Sequence, residues 1–480
     1  MSEDLGITVK KVENPAEWYQ QVVLKAGFAD YSPVKGCIVI REWGYGIWER
    51  IQEYWDAKMK SHGVKNYYFP LFISEGLLKK EAEHFEGFVP EVAWVTMAGD
   101  KELEERLAIR PTSETVMYAM FSKWVQSYRD LPLRVNQWCN VVRWETKMTK
   151  PFLRSREFLW HEAHTVHATE EETAEEARWA IEEYAKLAEQ LLAIPVIVGK
   201  KTESDKFAGA DTTFAIEALM PDGKALQMGT SHMLGQNFSR PYGVKFLGLD
   251  EKWHHAWQTS WGTSTRMIGG LLLMHGDDKG AVLPPEVAPI QVVIVPIIFK
   301  GKEKAVVKLC RELEKELKEA GIRAHFDGRE GYTAGWKFNH GELKGVPLRI
   351  EIGPRDLEKG EVVLVRRDTG KKDTAKLKGL TGLVKKKLKE IQEALLTRAR
   401  KHLKENTVNV ETLGELKNAI ESGKWAVIPH CGESQCEETL AERVEGGPRV
   451  IAFEQPPLKN KKCVGCGKKA SYWVYWGRSY

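Results

Sequence analysis

At 480 residues the chain is too long for one ordinary hydrophobic core, so about two to four domains are expected. With 42% hydrophobic and 29% charged residues it is globular in composition, which excludes a chain too polar to bury real cores. The formal charge of +4 is small and does not by itself announce a nucleic-acid partner.

The distribution of charge says more than its sum. Between Lys371 and Lys389 stand eight lysines and one acid, Asp373. Such a run is either a solvated face or a surface that holds a phosphate backbone. The N-terminal MSEDLGITVKKVENP lacks the apolar core of a signal peptide and an arginine-rich amphipathic pattern. No stretch approaches the roughly 18 to 20 apolar residues of a membrane span. A soluble, cytoplasmic protein without membrane contact is expected.

Asn14 before Pro15 predicts a helix cap with proline at the first helical position, the helix carrying Trp18, Val22 and Val23 and ending near Gly27. A second helix is expected from about Gly46. Trp48, Ile51, Trp55 and Met59 recur there at spacings of three and four, which marks a face buried in the core or at a subunit interface. Gly63 ends it, and NYYFPLF reads as a strand closing at Pro70. The runs LRVNQWCNVVRWE and RSREFLWHEAHTV flank the polar loop TKMTKPFL and predict a long antiparallel hairpin. Glu170 to Ala193 is helical in pattern, Lys224 to Phe238 strand plus turn, and Ser260 to Met274 a glycine-flanked passage from strand to helix.

Leu283-Pro284-Pro285 marks a boundary, since paired prolines continue neither element. Beyond it, apolar strands alternate with amphipathic helices, the pattern of a small α/β domain with a parallel or mixed sheet. A charged helix from about Leu377 to Lys404 leads into the last segment.

Of seven cysteines, Cys37, Cys139 and Cys310 stand alone in apolar or helical surroundings and read as inert core thiols. The rest form two close pairs: Cys431-x4-Cys436, then 26 residues, then Cys463-x2-Cys466. Each pair can bite one tetrahedral ion, and four thiolates make a closed structural Zn²⁺ site. Two disulfides are the alternative, and a reducing compartment favours the metal.

Three arginines stand out. Arg143 lies mid-strand in VVRWE, Arg154 follows the next loop, and Arg266 opens the glycine-flanked apolar helix. Arginine's fork is bidentate and always charged, so three of them could clamp a polyphosphate. Ordinary ion pairs, Arg143 with Glu145 or Glu162, are the plainer reading of these residues alone. RPTSET places Thr112 and Ser113 beside Glu114 just before a helix, which by itself reads as a capping box. HEAHT and QMGTSHMLGQNFS add His164, Gln227, Thr230 and His232 on strand-like segments.

With these motifs together, the chain resembles the class II aminoacyl-tRNA synthetases, and among them the archaeal and eukaryotic type of prolyl-tRNA synthetase. GVKNYYFP with Pro70 is similar to motif 1. VVRWE is similar to motif 2, with Val142 where many relatives carry Phe. SWGTSTRMIGGLLLMHGD is similar to motif 3. RPTSET, PFLRSREFLWHEAHT and QMGTSHMLGQNFS point to the prolyl branch, and the resemblance spans essentially the whole chain.

The resemblance implies an α+β fold. A class II antiparallel sheet flanked by helices would occupy residues 1–283, an α/β anticodon-binding domain 284–400, and a small zinc-binding α/β domain 401–480. It implies activation of L-proline with ATP, then transfer to the 3′ end of tRNA(Pro), by a homodimer using Mg²⁺ and structural Zn²⁺. Arg143 and Arg266 would be catalytic. Arg143, Glu145, Arg154, Ser155, Gln227, Thr230, Ser264 and Arg266 would bind ATP. Thr112, Glu114, Arg143, Trp160, His164 and His232 would bind proline, and Cys431, Cys436, Cys463 and Cys466 the zinc. Arg349 and Glu351 are candidates for reading anticodon bases. About a hundred residues separate motifs 2 and 3, too few for the large editing insertion of bacterial-type relatives. Threonyl-tRNA synthetase, which reads its substrate with a cysteine- and histidine-held zinc, is disfavoured because Thr112-Ser113-Glu114 occupies the corresponding loop. A relative that has lost catalysis is disfavoured because all three motif arginines remain.

Overall fold

The computed structural model describes residues 6–82, 92–144, 149–298, 301 and 303–480. Its backbone is an 11-stranded sheet. In order across the sheet, its central strands are Ile197–Lys200, Thr212–Leu219, Ala225–Gly235, Trp257–Ser264, Glu157–His167 and Leu133–Val142. All of these neighbours pair antiparallel. The predicted hairpin is the Leu133–Val142 and Glu157–His167 pair, in register from Leu133 opposite Val166 to Val142 opposite Glu157.

Helices Pro15–Lys25, Glu42–Ser61, Glu170–Gln190 and Arg266–His275 contribute the large core that covers one face of this sheet. Asn14 caps the first through its side chain, with Pro15 at the first helical position, as expected. The second begins at Glu42, four residues before the expected start, and buries Trp48, Ile51, Trp55 and Met59. Trp55 sits at the centre of an aromatic cluster, with ring centroids 4.5 Å from Tyr184, 5.6 Å from His161 and 5.9 Å from Trp261.

The strand expected over NYYFPLF is much shorter. Only Lys65–Asn66 pairs, parallel to Leu133–Val142 at the edge of the large sheet. Pro70 lacks the N–H that a longer ladder requires, and the chain turns into the separate strand Phe72–Ser74. Cys37 and Cys139 are half-buried rather than core residues, whereas Cys310 is buried. Burial pushes the thiols of Cys139 and Cys310 up to about 12, so both stay protonated and inert.

Past the paired prolines lies a mixed five-stranded sheet. Ala324–Phe326, Val292–Pro296 and Leu348–Ile352 run parallel, and Glu361–Arg366 and Lys372–Lys376 follow antiparallel. Helix Leu380–Glu405 then leads to the remaining segment. There Gly447–Ala452 pairs with Ile197–Lys200, so the C-terminal strands extend the central sheet. Gly199 permits this approach: a Cβ there would lie 2.1 Å from the Ile451 carbonyl oxygen. Among the described residues no helix is long and apolar enough to cross a membrane.

Candidate active site

Side chains of a strand alternate between its faces. On Glu157–His167, His161 points into the helical core, bonding Asn136 at 2.8 Å and Tyr184 at 2.6 Å. Trp160, Glu162 and His164 face the other way and line a cavity of about 510 Å³. Gln227, Thr230 and His232 from the next strands, with Ser260 and Ser264, form its floor. Arg143 and Arg266 supply positive charge, and Glu114, Glu162 and Asp205 negative charge. The volume is ordinary for a small-molecule site. Ten of the expected substrate residues therefore meet in one place: Thr112, Glu114, Arg143, Trp160, His164, Gln227, Thr230, His232, Ser264 and Arg266.

The Thr112-Ser113-Glu114 loop does not form the capping box its sequence suggests. Ser113 occupies the N-cap of helix Glu114–Trp124, but its side chain makes no cap hydrogen bond. It donates to Glu162 instead, while Thr112 donates to Glu114. Gln137 Nε2 adds a bond to Glu162 at 2.7 Å, and His164 Nε2 lies 3.4 Å away. Burial alone would raise the Glu162 pKa, yet His164, Ser113 and Gln137 hold its carboxylate below the usual range. Tyr118 fixes the His164 ring from behind, its hydroxyl 2.8 Å from Nδ1. His232 is half-buried in the cavity wall, and loss of solvent there, helped by His164, pushes its pKa down to about 3. Its ring therefore adds no positive charge beside the carboxylates of the pocket.

Glu162 is committed to the Ser113 loop, and Arg143 Nε donates to the Pro111 carbonyl at 3.2 Å. The Arg143 guanidinium lies 5.4 Å from the Trp160 ring centroid and 5.7 Å from that of Phe158. Arg266 begins helix Arg266–His275, where the positive end of the helix dipole adds to its charge. Arg154 and Ser155 do not line the cavity. Arg154 exchanges backbone bonds with Lys150 in a tight turn, and Ser155 Oγ donates to the Glu157 carbonyl at 2.7 Å. Glu145 lies outside the described residues.

Glu162, Asp205 and Phe207 are lining residues outside the expected set. Glu162 sits between Trp160 and His164 at the strand period of two, which would have found it. Asp205 and Phe207 come from the segment 201–211, whose sequence has no recognisable motif. Phe207 packs 4.9 Å from His232, and its N–H donates to Thr213 Oγ1 at 3.0 Å.

Family comparison fits this geometry. Residues 94–275 match the tRNA synthetase class II core domain of the G, H, P, S and T group, and residues 291–387 an anticodon binding domain. Residues 413–480 match the C-terminal domain of prolyl-tRNA synthetase. The chain is 49% identical to proline–tRNA ligase 2 of Clostridioides difficile, covering 97% of this chain and 96% of that one. It is 50% identical to proline–tRNA ligase of Cenarchaeum symbiosum, covering 99% and 100%. The chain belongs to the prolyl-tRNA synthetase family. A solved prolyl-tRNA synthetase from Cryptosporidium parvum, complexed with halofuginone and AMPPNP, superposes with a TM-score of 0.95 at 44% identity, over 100% of this chain and 98% of that one.

The synthetase's four clustered cysteines pass a geometric test for zinc. Cys431 and Cys466 Sγ lie 3.7 Å apart, as do Cys436 and Cys463 Sγ. A tetrahedron with Zn–S of about 2.3 Å has edges of about 3.8 Å. His430 also stands within 4.8 Å of Cys431, Cys436 and Cys463. Its Nδ1 accepts the Gly432 N–H at 3.1 Å, and its buried Nε2 has no hydrogen-bond partner among the described residues. Cys466 Sγ, beside Cys431, adds a fourth sulfur to this group.

In the anticodon-binding domain of the synthetase, Arg349 and Glu351 are buried and paired, Nη2 to Oε1 at 2.8 Å, with Glu342 and Lys372 joining them. Of the lysines from Lys371 to Lys389, all but Lys387 are exposed. Tyr480 returns to the catalytic core: its hydroxyl donates to Asp222 at 2.6 Å and Lys150 lies over its ring.

Proposed function

We infer that the protein activates L-proline with ATP to prolyl-adenylate and pyrophosphate, then transfers proline to the 3′ end of tRNA(Pro). The observation that carries this reading is the cavity itself, which joins two arginines to buried carboxylates and an aromatic wall in a prolyl-tRNA synthetase chain. Proline presents a carboxylate, a secondary ammonium and an apolar ring. Thr112 and Glu114 would receive the ammonium, Arg143 the carboxylate and the ATP α-phosphate, and Trp160, His164 and His232 the ring. Arg266 would hold the outer phosphates, joined by Arg154 if its side chain turned in from the neighbouring turn. Glu145, Ser155, Thr230 and Ser264 would complete the nucleotide site.

A carboxylate oxygen of proline attacks the α-phosphorus, the bond to the β-phosphate breaks, and pyrophosphate leaves. A ribose hydroxyl of the tRNA then attacks the acyl carbon and AMP departs. Both steps need alignment and charge neutralisation more than a protein nucleophile. Gln227 offers a hard amide oxygen in the cavity and suits Mg²⁺, which when bound neutralises charge across the phosphates.

We assign activation to residues 1–283, anticodon binding to 284–400 and the zinc-bearing domain to 401–480, in line with the matched segments. Arg349 and Glu351 would reach anticodon bases only if their buried pair opened, and the exposed lysines would hold tRNA phosphates. A homodimer is proposed across the sheet edge at Lys65–Asn66, where Tyr68 is 74% exposed and Phe72 46%. A cytoplasmic setting, where thiols stay reduced, suits the free cysteines. Charging of a tRNA(Pro) transcript with labelled proline tests the function. Proline should be esterified and threonine not; charging with threonine instead would refute the pocket assignment. Light scattering should give twice the chain mass.

A further inference from the structure

The segment 201–211 bridges two parts of the molecule. It leaves the strand Ile197–Lys200 at the point where that strand pairs with the C-terminal unit, Ile451 opposite Lys200, and it delivers Asp205 and Phe207 to the cavity. Within the catalytic domain it is anchored by Lys201, buried, whose Nζ donates to Asp205 and to Glu217, each at 2.8 Å. The Lys201 N–H on the Thr213 carbonyl, the Phe207 N–H on Thr213 Oγ1 and the Asn237 amide on the Gly209 carbonyl hold it from the same domain, and a further hold on 202–204 comes from the C-terminal unit. Thr202 Oγ1 donates to Glu437 Oε1 at 2.8 Å, and Ser204 Oγ donates to the same oxygen. Glu437 is only 3% exposed, stands in helix Ser434–Val444, and follows Cys436 of the cysteine cluster directly.

A buried carboxylate with few partners is costly, and here two hydroxyls of one loop compensate it. Those hydroxyls flank the turn that sets Asp205, and three residues past Ser204 the chain places Phe207 against His232. The C-terminal unit touches neither reacting group, yet it holds the backbone that shapes one wall of the site.

We infer that Glu437 is a positioning residue for the amino-acid pocket, acting through Thr202 and Ser204 to set Asp205 and Phe207. This gives the C-terminal domain a share in proline affinity and ties the pocket wall to the integrity of the cysteine cluster. It rests on the reading of the cavity as the proline site.

The test uses the full-length enzyme in two variants, Glu437→Ala and the double change Thr202→Val with Ser204→Ala, which removes the same bonds without touching the cysteine-bearing helix. Glu437→Gln serves as the conservative rescue, since its amide oxygen still accepts. The readouts are KM for proline and for ATP in pyrophosphate exchange, zinc content, and hydrogen–deuterium exchange over 201–211. Both disrupting variants should raise the proline KM about tenfold, keep the ATP KM within about twofold, and speed exchange over 201–211. Glu437→Gln should restore most of the affinity, and the double variant should keep its zinc. If Glu437→Ala loses zinc or folds poorly, the double variant decides alone. A native proline KM and native exchange in the double variant, or equal rises in both KM values, would overturn the inference. Faster exchange in both variants, with no protection by proline in the native enzyme, would refute the proline assignment while leaving the tether standing.

Discussion

The Ser113 hydroxyl donates to Glu162 rather than capping the helix that starts at Glu114. One buried carboxylate thus fixes the loop over the pocket from below. Removing it strands the Ser113 hydroxyl proton and the Ser113 N–H, which bonds Glu162 at 3.2 Å, and leaves the Gln137 amide with Ser113 Oγ alone. Glu162→Ala should cost about 3 kcal/mol or more of stability and raise the proline KM at least about tenfold. Glu162→Gln, which keeps the shape and one acceptor, should lose less of both. Urea melts beside proline titrations check this, and native proline affinity in a destabilised Glu162→Ala protein would contradict it.

The cysteine geometry predicts one zinc ion per chain. Cys463→Ser should abolish metal binding and lower the melting temperature, because a structural site contributes folding energy directly. After chelation and unfolding, all seven cysteines should titrate as free thiols. Only three reactive thiols under those conditions would mean disulfides.

Stability should fall below neutral pH. Burial depresses His161, His232 and His275 to about 3 and His167 to about 4. Below the unfolded value of about 6.5, the unfolded chain takes up protons that these folded rings refuse. The stabilisation they give is complete above that value and is lost as pH drops toward the folded values, at up to about 1.4 kcal/mol per pH unit for each ring. Urea midpoints at pH 8, 6.5 and 5 should show a plateau and then a steep decline. A flat profile from pH 6.5 to 5 would exclude buried neutral histidines.

The sheet, its hairpin and most of the pocket were legible because they rest on local pattern. Trp160 and His164 stand at strand period on WHEAHT, and Arg143 and Arg266 lie in motifs that mark their elements. What stayed hidden depends on distant contacts. Glu162 looks like an ion-pair partner until the Ser113 loop is seen folded onto it. Asp205 and Phe207 sit in a polar loop whose position is set by Glu437, 235 residues from Thr202. The pairing of Ile451 with Lys200 joins the C-terminal strands to the catalytic sheet, and nothing near either residue announces the other. NYYFPLF misled in the other direction: β-forming residues were present, but Pro70 and the free sheet edge left only Lys65–Asn66 paired.

The most direct test of the central claim is amino-acid-dependent ATP–pyrophosphate exchange with all twenty amino acids, run on the native protein and on Arg143→Ala. Exchange should be driven foremost by proline and fall by about a hundredfold or more in the variant, as expected when a charge-stabilising group is removed. Exchange led by another amino acid, or undiminished by Arg143→Ala, would contradict the account.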